Sequence, residues 1–165
     1  MKLSEGVEAA AHCAAILAGL TPGAAMPAAA MAEFHGLSPT YLLKHLQALA
    51  KAKLLDSVPG PTGGYRLARA PEKITLLDLV LAIEGPAPAF RCQEIRQRGP
   101  ARQEASAYVK PCGINAAMLK AERAYRAALA ETTLADIKAG FDNDANPRSV
   151  AAGCAFIERH QRPPA

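Results

Sequence analysis

The stretch LSPTYLLKHLQALAKAKLLDSVPGPTGGYRLAR, residues 37–69, contains the pattern that decides the fold. It opens with Ser38, a residue type that caps helix N-termini, and Pro39, which suits the first position of a helix. Leucines then recur at positions i, i+4 and i+7, which predicts one buried stripe along a helix. These residues are Leu42, Leu46 and Leu49.

The second half of this stretch changes its periodicity. Two short runs, 54–58 and 65–68, flank a Pro/Gly-rich turn and predict a small β-hairpin. A helix followed by a hairpin is the core of a winged helix-turn-helix. Five Lys/Arg against one acidic residue, Asp56, between positions 38 and 69 favour a nucleic-acid partner. An amphipathic helix and hairpin within an ordinary α+β domain is the alternative that this stretch alone leaves open.

The bulk composition sets wider limits. The chain has 165 residues, half of them apolar, and a net charge of +4. The first 85 residues hold seven Lys/Arg and seven Asp/Glu, so charge alone does not establish DNA binding. The N-terminus is too polar for a signal peptide, and no apolar run is long enough for a bilayer, so a soluble cytoplasmic protein without membrane contact is expected. In that compartment, four cysteines indicate thiols, metal ligands or redox sensors rather than structural disulfides.

The pattern along the chain predicts a mainly α fold in four parts. Residues 1–85 form the winged helix-turn-helix, and residues 86–112 form a proline-rich loop without periodicity, which is typical of a functional or disordered segment. Residues 113–140 contain a long Ala-rich helix that is a candidate for dimerisation, and residues 141–165 form a polar tail with a short helix. The apolar face of the long helix is Ile114, Met118, Ala121, Tyr125 and Leu129.

Several motifs carry a family resemblance. The segments LSPTYLLKHLQAL, GPTGGYRLAR and PEKITLLDLVLAIEG resemble, in order and spacing, the Rrf2 family of winged-helix transcriptional regulators. The similarity covers residues 1 to about 140. It is strongest to the redox-responsive members of the family, through MKLSEGVEAAAHC and PAFRCQEIRQRGP. The resemblance implies a homodimer that binds double-stranded DNA at an inverted repeat, with one helix in the major groove and the wing on the minor groove.

The wing departs from the family pattern at one position. Pro59 stands in the turn where the family often has an arginine, which would supply positive charge to the minor groove. We therefore expect base discrimination to rest on the helix and wing contacts to be weak. The helix residues are Ser38, Thr40, Tyr41, Lys44 and Gln47, and the wing residues are Gly63, Gly64 and Arg66.

Two cysteines are the candidate site for chemistry. Family members with iron–sulfur clusters commonly place three cysteines in the loop after the fourth helix, whereas this chain has two, Cys92 and Cys112. Glu8 and His12 lie four apart on the first helix, so they point the same way and bring the number of protein ligands to four. The resemblance implies that these four residues hold a 2Fe–2S cluster, with the cysteines from one protomer and the Glu/His pair from the other.

The same residues allow other interpretations. An exposed Glu–His pair on a helix is more often a solvated charge pair. The cysteines alone fit a reversible disulfide, inert buried thiols or half of a zinc site. The chain lacks a phosphate-binding glycine loop, a nucleophile elbow and an HExxH motif, so an enzyme is not expected. The leading expectation is a redox-sensing repressor whose oxidised form binds DNA best, and the alternative is a cluster-free regulator switched by a disulfide.

Overall fold

A computed structural model of the protein describes residues 3–61 and 63–163. Three helices come first: α1 (Glu5–Ala18), α2 (Ala28–His35) and α3 (Pro39–Lys51). Helix α2 ends at Gly36, whose left-handed backbone (φ 64°) a glycine adopts without steric cost, and the chain turns there into α3. The Ser38 hydroxyl accepts the backbone N–H of Tyr41 at 3.5 Å, which confirms the predicted N-cap.

The predicted hairpin is present as a two-stranded antiparallel wing. Strand β1 (Leu55–Val58) pairs with β2 (Gly64–Leu67). Met26, in the loop before α2, pairs with Tyr65 on the free edge of β2 through two main-chain hydrogen bonds of 2.9 Å. Gly64 allows this approach, because a Cβ there would lie 2.4 Å from the Met26 carbonyl oxygen. The wing is therefore hydrogen-bonded to the loop before α2 through the edge of β2 that does not face β1.

The regular elements that follow the wing are helical. They consist of α4 (Leu76–Glu84), α5 (Gly113–Glu131), α6 (Leu134–Asp144) and α7 (Pro147–His160), with short 3₁₀ turns at Pro71–Lys73, Ile95–Gln97 and Ala105–Tyr108. Helices α4 and α6 begin side by side, because Thr75 and Thr133 form a β-bridge and each starts a capping box. At Thr75 the Thr-x-x-Asp signature of a capping box is closed by Asp78, with hydrogen bonds of 2.9 and 3.2 Å.

One core unites the first helices, the wing and α4. The leucine stripe of α3 is fully buried in it, as the i, i+4, i+7 spacing predicts. The largest fully buried side chains include Met26, Met31, Leu42, Leu46, Leu49, Leu54, Ile74, Leu79 and Leu134. Helix α5 packs on α4 but leaves Ile114 and Met118 exposed in the protomer. Among the described residues, no helix has both the length and the apolar character needed to cross a bilayer.

The C-terminal part differs from the predicted polar tail with a short helix. Helix α7 spans 14 residues, starts with the side-chain cap Asn146, and packs Phe156 and Ile157 against the core. After it, the main chain of Arg162 pairs with Ala25. Helical periodicity revealed a stretch of helix here, but the surface on which it docks belongs to α2 and the loop before it, far away in the sequence.

Candidate thiol site and DNA-facing surface

The fold brings the two loop cysteines together. One ligand atom each from Cys92, Glu94 and Cys112 lies within 4.8 Å of the other two, and all three residues are half-buried. Glu94 has a left-handed backbone (φ 47°), unusual for a non-glycine residue, and its N–H donates to Cys92 Sγ at 3.4 Å. The Cys92 thiol in turn lies 3.8 Å from Glu94 Oε1. This sharp turn places the Glu94 carboxylate beside the two thiols. Glu94 was not among the ligands expected from the sequence.

Arg96 fastens the two cysteine-bearing segments to each other. Its Nε lies 2.7 Å from Glu94 Oε2, and its Nη2 donates to the Lys110 carbonyl oxygen at 2.8 Å. The Tyr108 hydroxyl donates to the Arg96 carbonyl at 3.0 Å and accepts the Gln103 N–H at 2.8 Å. The loop predicted without periodicity is thus organised by side chains rather than by helices or strands.

The base of the loop is fixed to α5 by a partly buried ion pair. Glu122, 8 % exposed, accepts the Ala89 N–H at 3.0 Å and pairs with Arg126 at 2.6 Å. The Arg126 guanidinium also donates to the carbonyls of Pro86 and Ala87 at 3.0 and 3.2 Å. Removing Arg126 would leave the buried Glu122 carboxylate without its cation, so this anchor is costly to break.

The two thiols differ in acidity. Cys112 is the N-cap of α5, and the N–H groups of Asn115 and Ile114 lower the pKa of its thiol below the ordinary value. At Cys92 the Glu94 N–H acts in the same direction, but desolvation and the neighbouring Cys112 and Glu94 outweigh it, so the pKa of Cys92 is raised. Of the two thiols, Cys112 is therefore the more acidic.

Glu8 and His12 are exposed on one face of α1. They line a cavity of about 300 Å³ together with Tyr41 of α3 and with His35, which has no partner at ligand spacing in the sequence. The His35 ring lies 5.4 Å from that of His12, its Nε2 is buried without a hydrogen-bond partner, and desolvation followed by the charge of His12 lowers its pKa. Within the described part of one protomer, Glu8 and His12 do not join the group formed by the cysteines.

The predicted DNA-contacting residues of α3 share one surface. Ser38, Thr40, Lys44 and Gln47 are exposed. Tyr41 is half-buried, with the Lys44 Nζ 4.7 Å from the centre of its ring and the His45 ring at 4.7 Å on edge.

The predicted wing contacts have a different environment. Arg66 lies 3.5 Å from Asp56 across the hairpin. Gly63 is buried, and its N–H already donates to the Gly60 carbonyl at 2.9 Å, so a contact from that N–H to DNA would require breaking the turn. A Cβ at Gly63 would lie 2.1 Å from the Val58 carbonyl oxygen, so a larger residue at this position would require the backbone to shift.

Comparison with known proteins assigns the chain to a family. The family described as "Rrf2: Iron-dependent Transcriptional regulator" matches residues 3–140. The chain belongs to the Rrf2 family. Among Rrf2-type relatives, it is 34 % identical over 137 residues to the putative transcriptional regulator YffB of Lactococcus lactis, covering 83 % of this chain and 86 % of that protein. It is 35 % identical over 68 residues to IscR of Photorhabdus laumondii, covering 41 % of this chain and 42 % of that one.

Solved structures of Rrf2 regulators share the fold. CymR, the global cysteine regulator of B. subtilis, matches with a TM-score of 0.66 at 23 % identity, covering 84 % of this chain and 97 % of that one. IscR of T. potens matches with a TM-score of 0.64 at 24 % identity, covering 91 % and 96 %. The winged-helix prediction is therefore confirmed, and the chain is a DNA-binding transcriptional regulator, as its relatives are, rather than an enzyme.

Proposed function

We propose that this Rrf2 regulator is a homodimeric repressor that binds an inverted-repeat operator and senses redox state through a 2Fe–2S cluster. Cys92 and Cys112 of one protomer and Glu8 and His12 of the other would hold the cluster, which supplies one-electron redox chemistry when bound. The protein would act in the cytoplasm. The observation that carries the proposal is the meeting of Cys92 and Cys112, which are 20 positions apart in sequence, in one braced loop.

The donor geometry fits a shared metal centre. Two thiolates on one tetrahedral metal lie about 3.8 Å apart, given a metal–sulfur bond of about 2.3 Å. The sulfur atoms of Cys92 and Cys112 lie within 4.8 Å of each other, so a small adjustment suffices. Glu94 adds a third donor atom, a carboxylate oxygen, to the two sulfurs. Glu8 and His12 are exposed on α1, where they could meet a second protomer. The exposed Ile114 and Met118 on α5 supply an apolar surface for that association.

The contact between α1 and α3 supports a route from the sensor to DNA. Tyr41, a proposed base-reading residue, lines the cavity that also contains Glu8 and His12. One turn along α3, the buried His45 ring packs on Gly6 of α1, where even a single added carbon would lie 2.4 Å from it. Because packed elements this close cannot move independently, a shift of α1 changes the position of α3. We propose that the oxidised form positions α3 for tight binding and that the reduced and cluster-free forms bind weakly.

The test is the iron and sulfide content and visible spectrum of anaerobically purified protein. Single replacements Cys92→Ser, Cys112→Ser, Glu8→Gln and His12→Ala should each lower iron content or alter the spectrum, whereas the exposed Cys154→Ser is the matched control and should not. Gel-shift titrations should then show tight binding only for the oxidised protein. Equal affinity of oxidised, reduced and cluster-free protein, or a normal spectrum for Cys92→Ser, would rule out the proposal.

A second function is favoured by the unequal acidity of the two thiols. Thiol–disulfide exchange begins with a thiolate, and the lowered pKa of Cys112 makes that residue the attacking group beside Cys92. A small disulfide or a peroxide would take the two electrons, the two sulfurs would bond, and the Cys92 proton would leave. A colourless protein whose free-thiol count falls by two on oxidation, with a matching change in DNA affinity, would establish this function in place of the first.

A further inference from the structure

The C-terminal segment lies outside the part of the chain that matches the family, residues 3–140, yet it is packed onto the DNA-binding unit. On α7, the Phe156 ring lies 4.9 Å from Phe34 of α2 and stacks on His160 at 4.0 Å. After the helix, the Gln161 side chain accepts the N–H and hydroxyl of Thr21 at 3.0 and 3.2 Å. These contacts bring the end of α7 to the loop that precedes α2.

From there the main chain reaches the wing through one shared segment. Arg162 exchanges two backbone hydrogen bonds with Ala25, at 2.8 and 2.9 Å. The next residue, Met26, exchanges two with Tyr65 of β2, both at 2.9 Å. Successive residues of an extended chain direct their backbone groups to opposite sides, so residues 25–26 pair with the tail on one side and the wing on the other. Residues 25–26 thus lie between the C-terminal segment and the hairpin and are hydrogen-bonded to both.

The Arg162 side chain makes the direct connection. Its Nη1 donates to the carbonyl oxygens of Pro61 and, at 3.0 Å, of Gly63, on the turn between β1 and β2. Residues 57–64, SVPGPTGG, contain no charged side chain. Of the nearby cations, Arg66 is paired with Asp56, and the Arg69 guanidinium donates to the Lys53 and Lys73 carbonyls. Arg162 therefore brings a guanidinium to a turn that has none of its own.

We propose that Arg162 is a positioning residue of the DNA-binding unit: it clamps the wing turn in the shape in which the wing meets DNA. The role in DNA binding rests on the wing contacts proposed from Gly64 and Arg66. The clamp itself rests only on the described hydrogen bonds. Two hydrogen bonds from Arg162 to carbonyls of one turn restrict that turn more than one bond would, because both must break before the turn opens.

The experiment compares Arg162→Ala with Arg159→Ala in the full chain. Arg159 is the matched control, because among the described residues its side chain donates only to Ala155, within its own helix, at 3.3 Å. Hydrogen exchange followed by mass spectrometry measures opening of peptides that cover residues 58–66. Fluorescence anisotropy measures affinity for a duplex selected from a random-sequence pool by the wild-type protein.

Arg162→Ala should exchange several-fold faster in the wing and bind the duplex about fivefold more weakly, whereas Arg159→Ala should match the wild type. Since Arg162 does not touch the cysteines, the same loss is expected with and without the cluster, which separates this role from redox sensing. Wild-type exchange in the wing of Arg162→Ala would overturn the clamp. Faster exchange with unchanged affinity would overturn the proposed wing contacts and leave the clamp standing.

A second variant covers the case in which Arg162→Ala loses its fold. Arg162→Lys keeps the charge and the aliphatic stem, but its ammonium nitrogen ends one bond nearer the backbone than Nη1 and should not reach both carbonyls. Its wing exchange should lie between wild type and Arg162→Ala, while exchange in α5 stays unchanged. If the wing of Arg162→Lys exchanges no faster than the wild-type wing, charge alone accounts for the contact and the clamp is overturned.

Discussion

Replacing Gly6 by alanine tests the contact through which α1 and α3 move together. Gly6 is the second residue of α1 and lies under the His45 ring. An ideal Cβ at this position is 2.4 Å from His45 Cε1 and 2.9 Å from Nδ1, whereas an ordinary contact is 3.4–4 Å. The ring would have to move by about 1 Å, against the Tyr41 ring that packs on it at 4.7 Å.

The size of the effect follows from two opposing terms. Overfilling a packed site costs about 1–3 kcal/mol, while alanine in place of glycine stabilises a helix by up to about 1 kcal/mol. Gly140 in α6 is the matched control, because a Cβ there meets nothing within 4 Å and only the favourable term applies. The difference between the two variants is therefore the overfilling term. For a chain of this size, Gly6→Ala should melt about 2–12 °C below Gly140→Ala.

Thermal unfolding by circular dichroism, with denaturant titration as a second measure, gives both free energies of unfolding. Adding His45→Ala completes a double-mutant cycle: the loss of the ring should cost less in the Gly6→Ala protein than in the wild type, by about 1–3 kcal/mol. The same variants belong in the gel-shift assay, where a displaced α1 should reduce the difference between oxidised and reduced protein. If Gly6→Ala stabilises the protein as much as Gly140→Ala, the close contact between α1 and α3 is refuted.

Two further predictions concern titrating groups. The Ser4 N–H and hydroxyl donate to Glu84 at 2.9 and 2.6 Å and hold the pKa of that carboxyl below its usual value. Its contribution to stability is present above the unfolded-state pKa of about 4.3 and is lost as the pH falls through the lower folded-state pKa, so melts below pH ~5 should separate wild type from a less acid-sensitive Glu84→Gln. In cluster-free protein at neutral pH, peptide mapping after iodoacetamide treatment should find Cys112 labelled before Cys92, because the pKa of Cys112 is lowered and that of Cys92 is raised. Cys13 should be labelled last, because burial raises its pKa to about 12. Equal labelling rates for the three cysteines would contradict the structure.

Local signals in the sequence predicted much of the DNA-binding unit. The spacing of the leucines on α3 gave the buried stripe, and Ser38 gave the correct start of that helix. The Pro/Gly turn between two short apolar runs gave the hairpin. Each of these features depends on residues within a few positions of one another, where periodicity and capping preferences are informative.

The residues that sequence reasoning missed depend on distant partners or unusual backbone. Glu94 joins the cysteines only because its backbone turns left-handed, which residue preferences disfavour for glutamate. The salt bridge of Glu122 to Arg126 was detectable as an i, i+4 pair, but its burial against the base of the cysteine loop was not. Phe156 reaches Phe34, and Arg162 reaches Gly63, across about a hundred residues or more. Periodicity identifies an apolar helix face and says nothing about its partner.

The bridge between Thr75 and Thr133 also bears on how such a regulator can change over time. The chain leaves the DNA-binding unit along α4 and returns to the same point at the start of α6. The segment between Thr75 and Thr133, which includes the loop with Cys92 and Cys112, therefore has both of its ends held together by this bridge. Doubling the length of a flexible loop costs only about 0.6 kcal/mol of closure entropy. Insertions and deletions between the cysteines can thus change the loop that holds them while the helical unit that carries α3 stays as it is.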